Sequence, residues 1–475
     1  NIGVADAADF KKKITEDDYN HYLYSKVVKF IDRQVYENSY FVSKSIKQKA
    51  KGKVIKRLVK NILKEFLLKN LQIICNVATR GSKAAVDRSY FSTKHFIQLI
   101  IGSFPRITPI VLLPTLRRTG LKQEMAVRDK LHKSFCSLFS PKTDFETFLA
   151  QTLIYDMPLS FIESFKNVLH ESTYVNLKNK NYLSSNAILN NQILQCAVAN
   201  QLSPTSDLII AQHGGSYGIA KWSMQQFYEL NTADKYISFG WERREFSNIA
   251  NISHPKLLLK NSADKLKNLN ILYITWAPSR YFNRNWSVPI AGSAIIDYYK
   301  NILVLLKGVK PHLKRHISVR LAPSDSEYKV GVGKFLGGGV KLAKGDFYQE
   351  LNAASLVICD HNQTTMLESM CLNKPTIIVW NSDYNKIDQF AVSFFEKLSE
   401  VGVFYSCSTK AAAFINDIVD KNEIDEWWRD TSRQNAVSSF VAEYCKRNDN
   451  WVVDYQEVLG INKNVNKSIN NLKKD

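Results

Sequence analysis

The stretch Ser355–Trp380, SLVICDHNQTTMLESMCLNKPTIIVW, admits few folds. Ser355–Cys359 is a short apolar run of the kind buried on both faces of a parallel sheet. Asp360, His361, Asn362 and Gln363 follow as a tight polar loop. Thr364 and Thr365 are suited to cap a helix, and Glu368 falls in its first turn or two. Asn373-Lys374-Pro375 closes that helix, and Thr376–Trp380 reads as the next buried strand. Open α/β sheets bind ligands beyond the carboxyl ends of their strands, where helix N-termini offer unpaired N–H groups to an anion. The loop Asp360–Thr365 stands at such a point and is expected to face a phosphate. An ordinary βαβ unit with a capped helix accounts for the same residues, because a fold does not fix a function.

The rest of the chain repeats this alternation. Leu71–Cys75, Ile97–Ile101 and Pro109–Leu113 read as strands of a first α/β domain. Asp144–Ile154 and Leu159–His170 read as helices broken at Met157-Pro158. Tyr182–Asn186, Asp207–Gln212 and Tyr236–Trp241 are further strands, with a helix over Asn190–Asn200. The polar Asn248–Asn270 is the expected linker. Ile271–Trp276 and His316–Leu321 then read as strands, Ser293–Leu306 and Phe347–Ala354 as helices, and Glu423–Val458 as helical. Strand–helix alternation on this scale predicts largely parallel, doubly wound sheets. The expected division is a basic helical segment over 1–70, a first domain over 71–250, a second over 271–446, and a disordered tail over 461–475.

The 475 residues carry a net charge of +20, which calls for nucleic acid, an anionic membrane face or anionic substrates. No zinc-finger spacing or RNP-like motif is present, so the nucleic-acid reading rests on charge alone. From Lys47 to Lys69 the segment is rich in lysine, and Val54, Leu58, Ile62, Phe66 and Leu67 recur at helical spacing. Such a helix either lies on an anionic membrane or packs on a core with its lysines solvated. No window approaches the roughly 18 apolar residues of a membrane span. The start, NIGVADAADFKKK, lacks a signal core and an initiating Met, so a trimmed chain or a fragment is expected. Seven scattered cysteines, never spaced CxxC, fit a reducing cytoplasm and no metal site.

Three further groups could carry chemistry. In AQHGGSYGIAKW, His213 sits at the tip of a buried strand, and Gly214 and Gly215 let the backbone turn or approach a ligand. Glu229 and Asp234 lie between that loop and the next strand and are expected to return to the same cleft as carboxylates for acid/base or nucleophilic work. Arg280 and Arg320 fall near strand ends, where guanidinium binds phosphate or carboxylate in a bidentate fashion. A satisfied structural histidine, solvated carboxylates and a structural ion pair at Arg320 are the plainer alternatives. The triple glycine 337–339 is not a dinucleotide fingerprint.

Taken together, AQHGGSYGI, Glu229, the run Asp234–Trp241, and Asp360–Glu368 followed by Asn373–Thr376 resemble a family of bacterial surface-polysaccharide transferases. Phe145–Phe165 and Trp427-Trp428 extend the resemblance over roughly residues 144 to 446. Where members commonly carry Pro-Gly, this chain has Asn362-Gln363. The family is GT-B-like and more distantly similar to capsule Kdo and pseudaminic acid (nonulosonate) transferases. The resemblance implies two Rossmann-like domains facing a cleft, here with extra N-terminal helices. It also implies a CMP-sugar donor as substrate, no cofactor and no metal. The acceptor would be a surface glycan, lipid-linked in one form, and the protein would be cytoplasmic, peripheral at the inner membrane face, and not a nucleic-acid binder. Donor contacts would come from Gly214, Gly215, Arg280, Arg320, Asp360, His361, Asn362, Gln363, Thr364, Thr365 and Glu368; catalysis would come from His213, Glu229 and Asp234. The rivals are a teichoic-acid-type phosphotransferase using a CDP-alcohol, and a non-enzymatic basic protein binding membrane or nucleic acid.

Overall fold

The computed structural model describes residues 4–14, 16–31, 66–88, 90–116, 122–258, 269–276, 294–321, 336, 339–383 and 385–462. Among the described residues, twelve short strands form two sheets. The first holds β1 (Ala84–Asp87), β2 (Ile107–Ile110), β3 (Asn181–Ser184), β4 (Leu208–Ala211), β5 (Lys235–Ser238) and β6 (Ile249–Asn251), in the order β2-β1-β3-β4-β5-β6. The second holds β7 (Ile271–Ile274), β8 (Ile317–Arg320), β9 (Lys341–Leu342), β10 (Leu356–Cys359), β11 (Thr376–Val379) and β12 (Phe404–Tyr405), in the order β12-β11-β10-β7-β8-β9. The pairings within them run parallel, as in β10 beside both β7 and β11. Parallel strands need crossovers, and helices supply them, so the largely parallel, doubly wound class expected from the alternation is the class found. The chain divides into two compact units, residues 1–208 with 459–466 and residues 209–458 with 467–475.

In the first unit the expected N-terminal helices are Ala7–Lys13 and Asp17–Ile31, the second tied by Tyr22 and Lys26 to Asp156. Two expected strands are helices instead. Leu71–Cys75 lies inside a helix over 66–78, and Ile97–Ile101 inside Thr93–Ser103. β-branched runs there sit in longer segments with a 3.6-residue repeat, and Ser92 caps the second helix by accepting from the His95 amide. The edge strand of this unit is β2, and Gln72 closes it. Its side chain accepts from Val111 N–H at 2.8 Å and donates to the Pro109 carbonyl at 2.9 Å, as a neighbouring strand would. Leu159–His170 is not one helix: a 3₁₀ turn over Leu159–Phe161 precedes the helix Phe165–Ser172.

In the second unit Leu356, Val357, Ile358 and Cys359 are fully buried, as a central parallel strand requires. The expected linker begins with a strand, because Ile249–Asn251 pairs with β5 as β6. Glu423–Val458 forms three helices, Ile424–Arg429, Thr431–Tyr444 and Trp451–Val458. Two segments far apart in sequence join as an isolated antiparallel bridge, Ala220 to Ile387. Lys221 N–H donates to the Lys386 carbonyl at 3.0 Å, and Asp388 N–H to the Ile219 carbonyl at 2.8 Å. Arg243 reinforces it, donating to the Gly218 carbonyl at 2.6 Å, lying 3.5 Å from Asp388, and stacking 4.5 Å from the Phe390 ring. The basic segment 32–65 and the tail 463–475 lie outside the described residues.

Candidate functional site

The site is built where β4 ends. Gln212, the next residue, is buried, and its amide holds three backbone or ring groups in place. Its Oε1 accepts from Phe239 N–H at 2.9 Å and from the Trp241 indole at 2.8 Å, while Nε2 donates to the Gly214 carbonyl at 2.6 Å. This fixes the His213-Gly214-Gly215 turn against the chain that leaves β5. Gly218, at φ +72°, lies so close to Trp241 that a Cβ there would stand 2.7 Å from the indole ring.

His213 leans on a buried carboxylate. Its Nδ1 is 3.3 Å from Glu229 Oε1, and 12% of the His213 side chain reaches solvent against 0% for Glu229. Glu229 comes from the helix Met224–Thr232, which Ser223 caps by accepting from Gln226 N–H. The Tyr217 hydroxyl donates to the same Oε1 at 3.0 Å and lies 3.4 Å from the imidazole nitrogens. Burial raises the proton affinity of Glu229, with His213 and Tyr217 opposing it. Its Oε2 has no hydrogen-bond partner among the described residues. An imidazole backed by such a carboxylate is a competent proton acceptor, because the imidazolium formed is paired at once.

Gly215 brings the two expected motifs together. A Cβ built on it would lie 2.4 Å from the carbonyl carbon of Gln363 and 2.4 Å from the amide nitrogen of Thr364, the first residue of the helix Thr364–Cys371. The His-Gly-Gly turn is therefore pressed against the start of that helix, where the positive end of the helix dipole favours an anion. The N-cap is Gln363 and makes no side-chain cap, so the expected threonine caps are not formed; the Thr365 hydroxyl is buried without a partner among the described residues. His361 takes up part of that task, its Nδ1 accepting from Gln363 N–H at 3.2 Å. Asn362 is buried and reaches Asn385, on the loop after β11, at 3.4 Å.

Other expected site residues are placed differently. Asp234 precedes β5 and is exposed, at the edge of the sheet opposite to His213, so it does not join the cluster. Asp360 is sealed: it accepts from the hydroxyls of Tyr298 at 3.0 Å and Tyr273 at 3.1 Å, and from Trp276 N–H at 3.2 Å. It locks the ends of β7 and β10 together. Burial pushes its carboxyl up to about 7 and pushes the neighbouring His361 down to about 4. Arg320, at the end of β8, is paired with Glu350, donates to the Gly345 carbonyl at 3.0 Å and covers the Phe347 ring at 5.2 Å. Its charge is matched inside the domain by Glu350. Glu368 is buried, accepts from the Tyr348 hydroxyl at 2.8 Å, lies 3.9 Å from Lys256, and has its proton affinity raised by burial. Arg280 and Gly337-Gly338 lie outside the described residues. Among the described residues no group of three or more His, Cys, Asp or Glu side chains could hold a metal ion. Sequence reasoning missed Gln212, whose partners are spread over 30 residues, and Asn385, which only the sheet order brings beside Asn362.

A comparison with curated proteins found no significant match. Among solved structures, the chain is similar to the S. aureus MnaA–UDP co-structure at 11% identity, covering 80% of this chain and 98% of that one, with a TM-score of 0.44. It is similar to Anabaena Alr3699/HepE in complex with UDP-glucose at 14%, covering 67% and 88%, TM-score 0.36. It is similar to the wall teichoic acid polymerase TagF, H548A, at 12%, covering 65% and 86%, TM-score 0.34. At such values the likeness carries nothing about chemistry. A family model is decisive where these are not: matched by it over residues 1–459, the chain belongs to the LIC12162 family transferases.

Proposed function

We propose that this transferase moves a sugar, a nonulosonic acid of the pseudaminic or Kdo type, from a CMP-activated donor to a hydroxyl of a bacterial surface glycan. The observation that supports this reading most is the His213–Glu229 pair, 3.3 Å apart, one turn of chain from the Gly215 contact with Thr364. In the step proposed, the acceptor oxygen attacks the anomeric carbon while His213 takes its proton, and the bond from that carbon to the phosphate oxygen breaks. CMP leaves with the electron pair, its phosphate received by the amides at the start of the helix Thr364–Cys371. Glu229 steadies the imidazolium formed at His213. Asn362, Gln363, Thr364 and Asn385 are the groups proposed to read the nucleotide; Gly214 and Gly215 are the surface it approaches. The donor's nucleotide follows the family resemblance, as do the acceptor class and the absence of a cofactor.

Nucleotide release tests the reading. The full chain should release CMP from a CMP-nonulosonate in the presence of acceptor, and Glu229→Gln should lower kcat by about 10²–10⁴ with the donor KM little changed. Turnover of CDP-glycerol with none of CMP-sugars would replace glycosyl transfer by phosphoalcohol transfer on the same loops. Full activity in Glu229→Gln would remove the dyad from the mechanism. A melting temperature that none of CMP, CDP and UDP raises would favour a non-enzymatic basic protein.

A further inference from the structure

We propose that the outward face of the helix over 66–78 docks on an anionic lipid bilayer. Its outward face is apolar, and its half-buried face sets two amides beside Leu68 and Cys75. The side turned to the protein presents Gln72, which closes the β2 edge, and Asn76, whose Oδ1 accepts from Gln72 Nε2 at 3.0 Å. The side turned to solvent presents Phe66, Leu67, Leu71, Ile73, Ile74 and Val77, with Ile73 60%, Ile74 63% and Val77 72% exposed. A surface helix of a globular protein turns its apolar stripe inward, so a stripe turned outward marks an interaction surface. The inner amides have their own reason: an edge strand needs hydrogen-bonding partners, and an amide side chain supplies both kinds.

Charge identifies the partner. Lys69, Arg80 and Lys83 are exposed on the same stretch, and no acidic residue occurs between Glu65 and Asp87. Cations flanking an exposed apolar helix match lipid headgroups above an acyl layer. Nucleic acid would account for the cations and leave six large apolar side chains facing water. The described part of the helix, 66–78, is about 20 Å long at 1.5 Å per residue, short of a roughly 30 Å hydrocarbon core. No described helix is long and apolar enough to cross a membrane. This inference does not depend on the donor or on the chemistry at His213.

Co-sedimentation of the full chain with vesicles tests it. Phosphatidylcholine vesicles containing about one-third phosphatidylglycerol should bind the protein at least about tenfold better than phosphatidylcholine alone. The double variant Ile73→Asp/Ile74→Asp should lose at least about tenfold of that binding with an unchanged melting temperature. Should that variant unfold, Leu71→Ser/Val77→Ser must reproduce the loss in a folded protein. Equal binding by wild type and folded variants would overturn the proposal. So would a wild-type dimer that the variants dissociate, which would assign the face to a second copy. Retention on a duplex DNA column with no vesicle binding would overturn it in favour of nucleic acid.

Discussion

Gly215→Ala is the substitution that most directly probes whether the two motifs work as one site. Ordinary contact to a Cβ begins near 3.4 Å, and the new methyl would sit at 2.4 Å from two backbone atoms, so one segment must retreat by 3.4 − 2.4 = 1.0 Å. Backbone cannot escape by changing rotamer, so the His213 turn or the start of the helix Thr364–Cys371 has to shift. Overpacking of this kind costs about 1–3 kcal/mol, which for a unit of this size lowers Tm by about 2–12 °C. A displacement of about 1 Å between catalytic groups costs about 100-fold in rate, so turnover should suffer more than stability. Gly214→Ala is the milder perturbation of the same turn, expected to cost less in both Tm and turnover. Its Cβ would meet the Tyr217 ring edge at 3.1 Å, only 3.4 − 3.1 = 0.3 Å too near, and a side chain can yield that much. Scanning calorimetry and steady-state kinetics on both variants decide the matter. Gly215→Ala with wild-type Tm and turnover would refute the close packing; a fall in Tm with unchanged turnover would show that the contact is scaffolding and not part of the site.

Asp360 and His361 should impose opposite pH dependences on stability. Asp360, raised to about 7 by burial, contributes stability that is full below its unfolded value and lost as pH climbs through about 7. His361, lowered to about 4 by burial, contributes stability that is full above its unfolded value and lost as pH falls through about 4. Each slope is at most about 1.4 kcal/mol per pH unit, and they oppose each other between about pH 4 and 6.5. Tm measured across that window should be flat in wild type, rise with pH in Asp360→Asn and fall with pH in His361→Gln; parallel behaviour of the two variants would contradict this. Arg320→Ala should cost about 0.5–3 kcal/mol through the loss of Glu350 and Phe347 contacts while nucleotide affinity, read by titration, stays within about twofold; a selective loss of affinity would return Arg320 to the donor site.

The legible parts of this chain were those in which local pattern and tertiary need agree. Leu356–Cys359 and Thr376–Val379 are apolar runs that the sheet buries, and His213 announces itself by a strand before it and two glycines after. Ile97–Ile101 misled because β-branched composition outweighed the helical repeat of Phe96, Leu99 and Ser103, the residues that the helix buries. β1 was missed because Ala84-Ala85-Val86-Asp87 carries little β signal; its neighbours on both sides make it a strand. Glu229 and Asp234 looked alike in sequence. One ends up buried against an imidazole, the other exposed before β5, because Glu229 lies with Leu230 on the buried part of its helix while Asp234 is the exposed residue of the connection to the strand. Arg320 could not be read at all without knowing that Glu350 lies across from it.

The bridge between Ala220 and Ile387, with Arg243 stacked across it, has a mechanical corollary. It fastens the chain just after the histidine turn to the chain after β11, within one compact unit. Backbone hydrogen bonds pass a shift of either segment to the other, so a disturbance at Asp388 or Phe390 reaches the histidine turn through Arg243 and the Gly218 carbonyl.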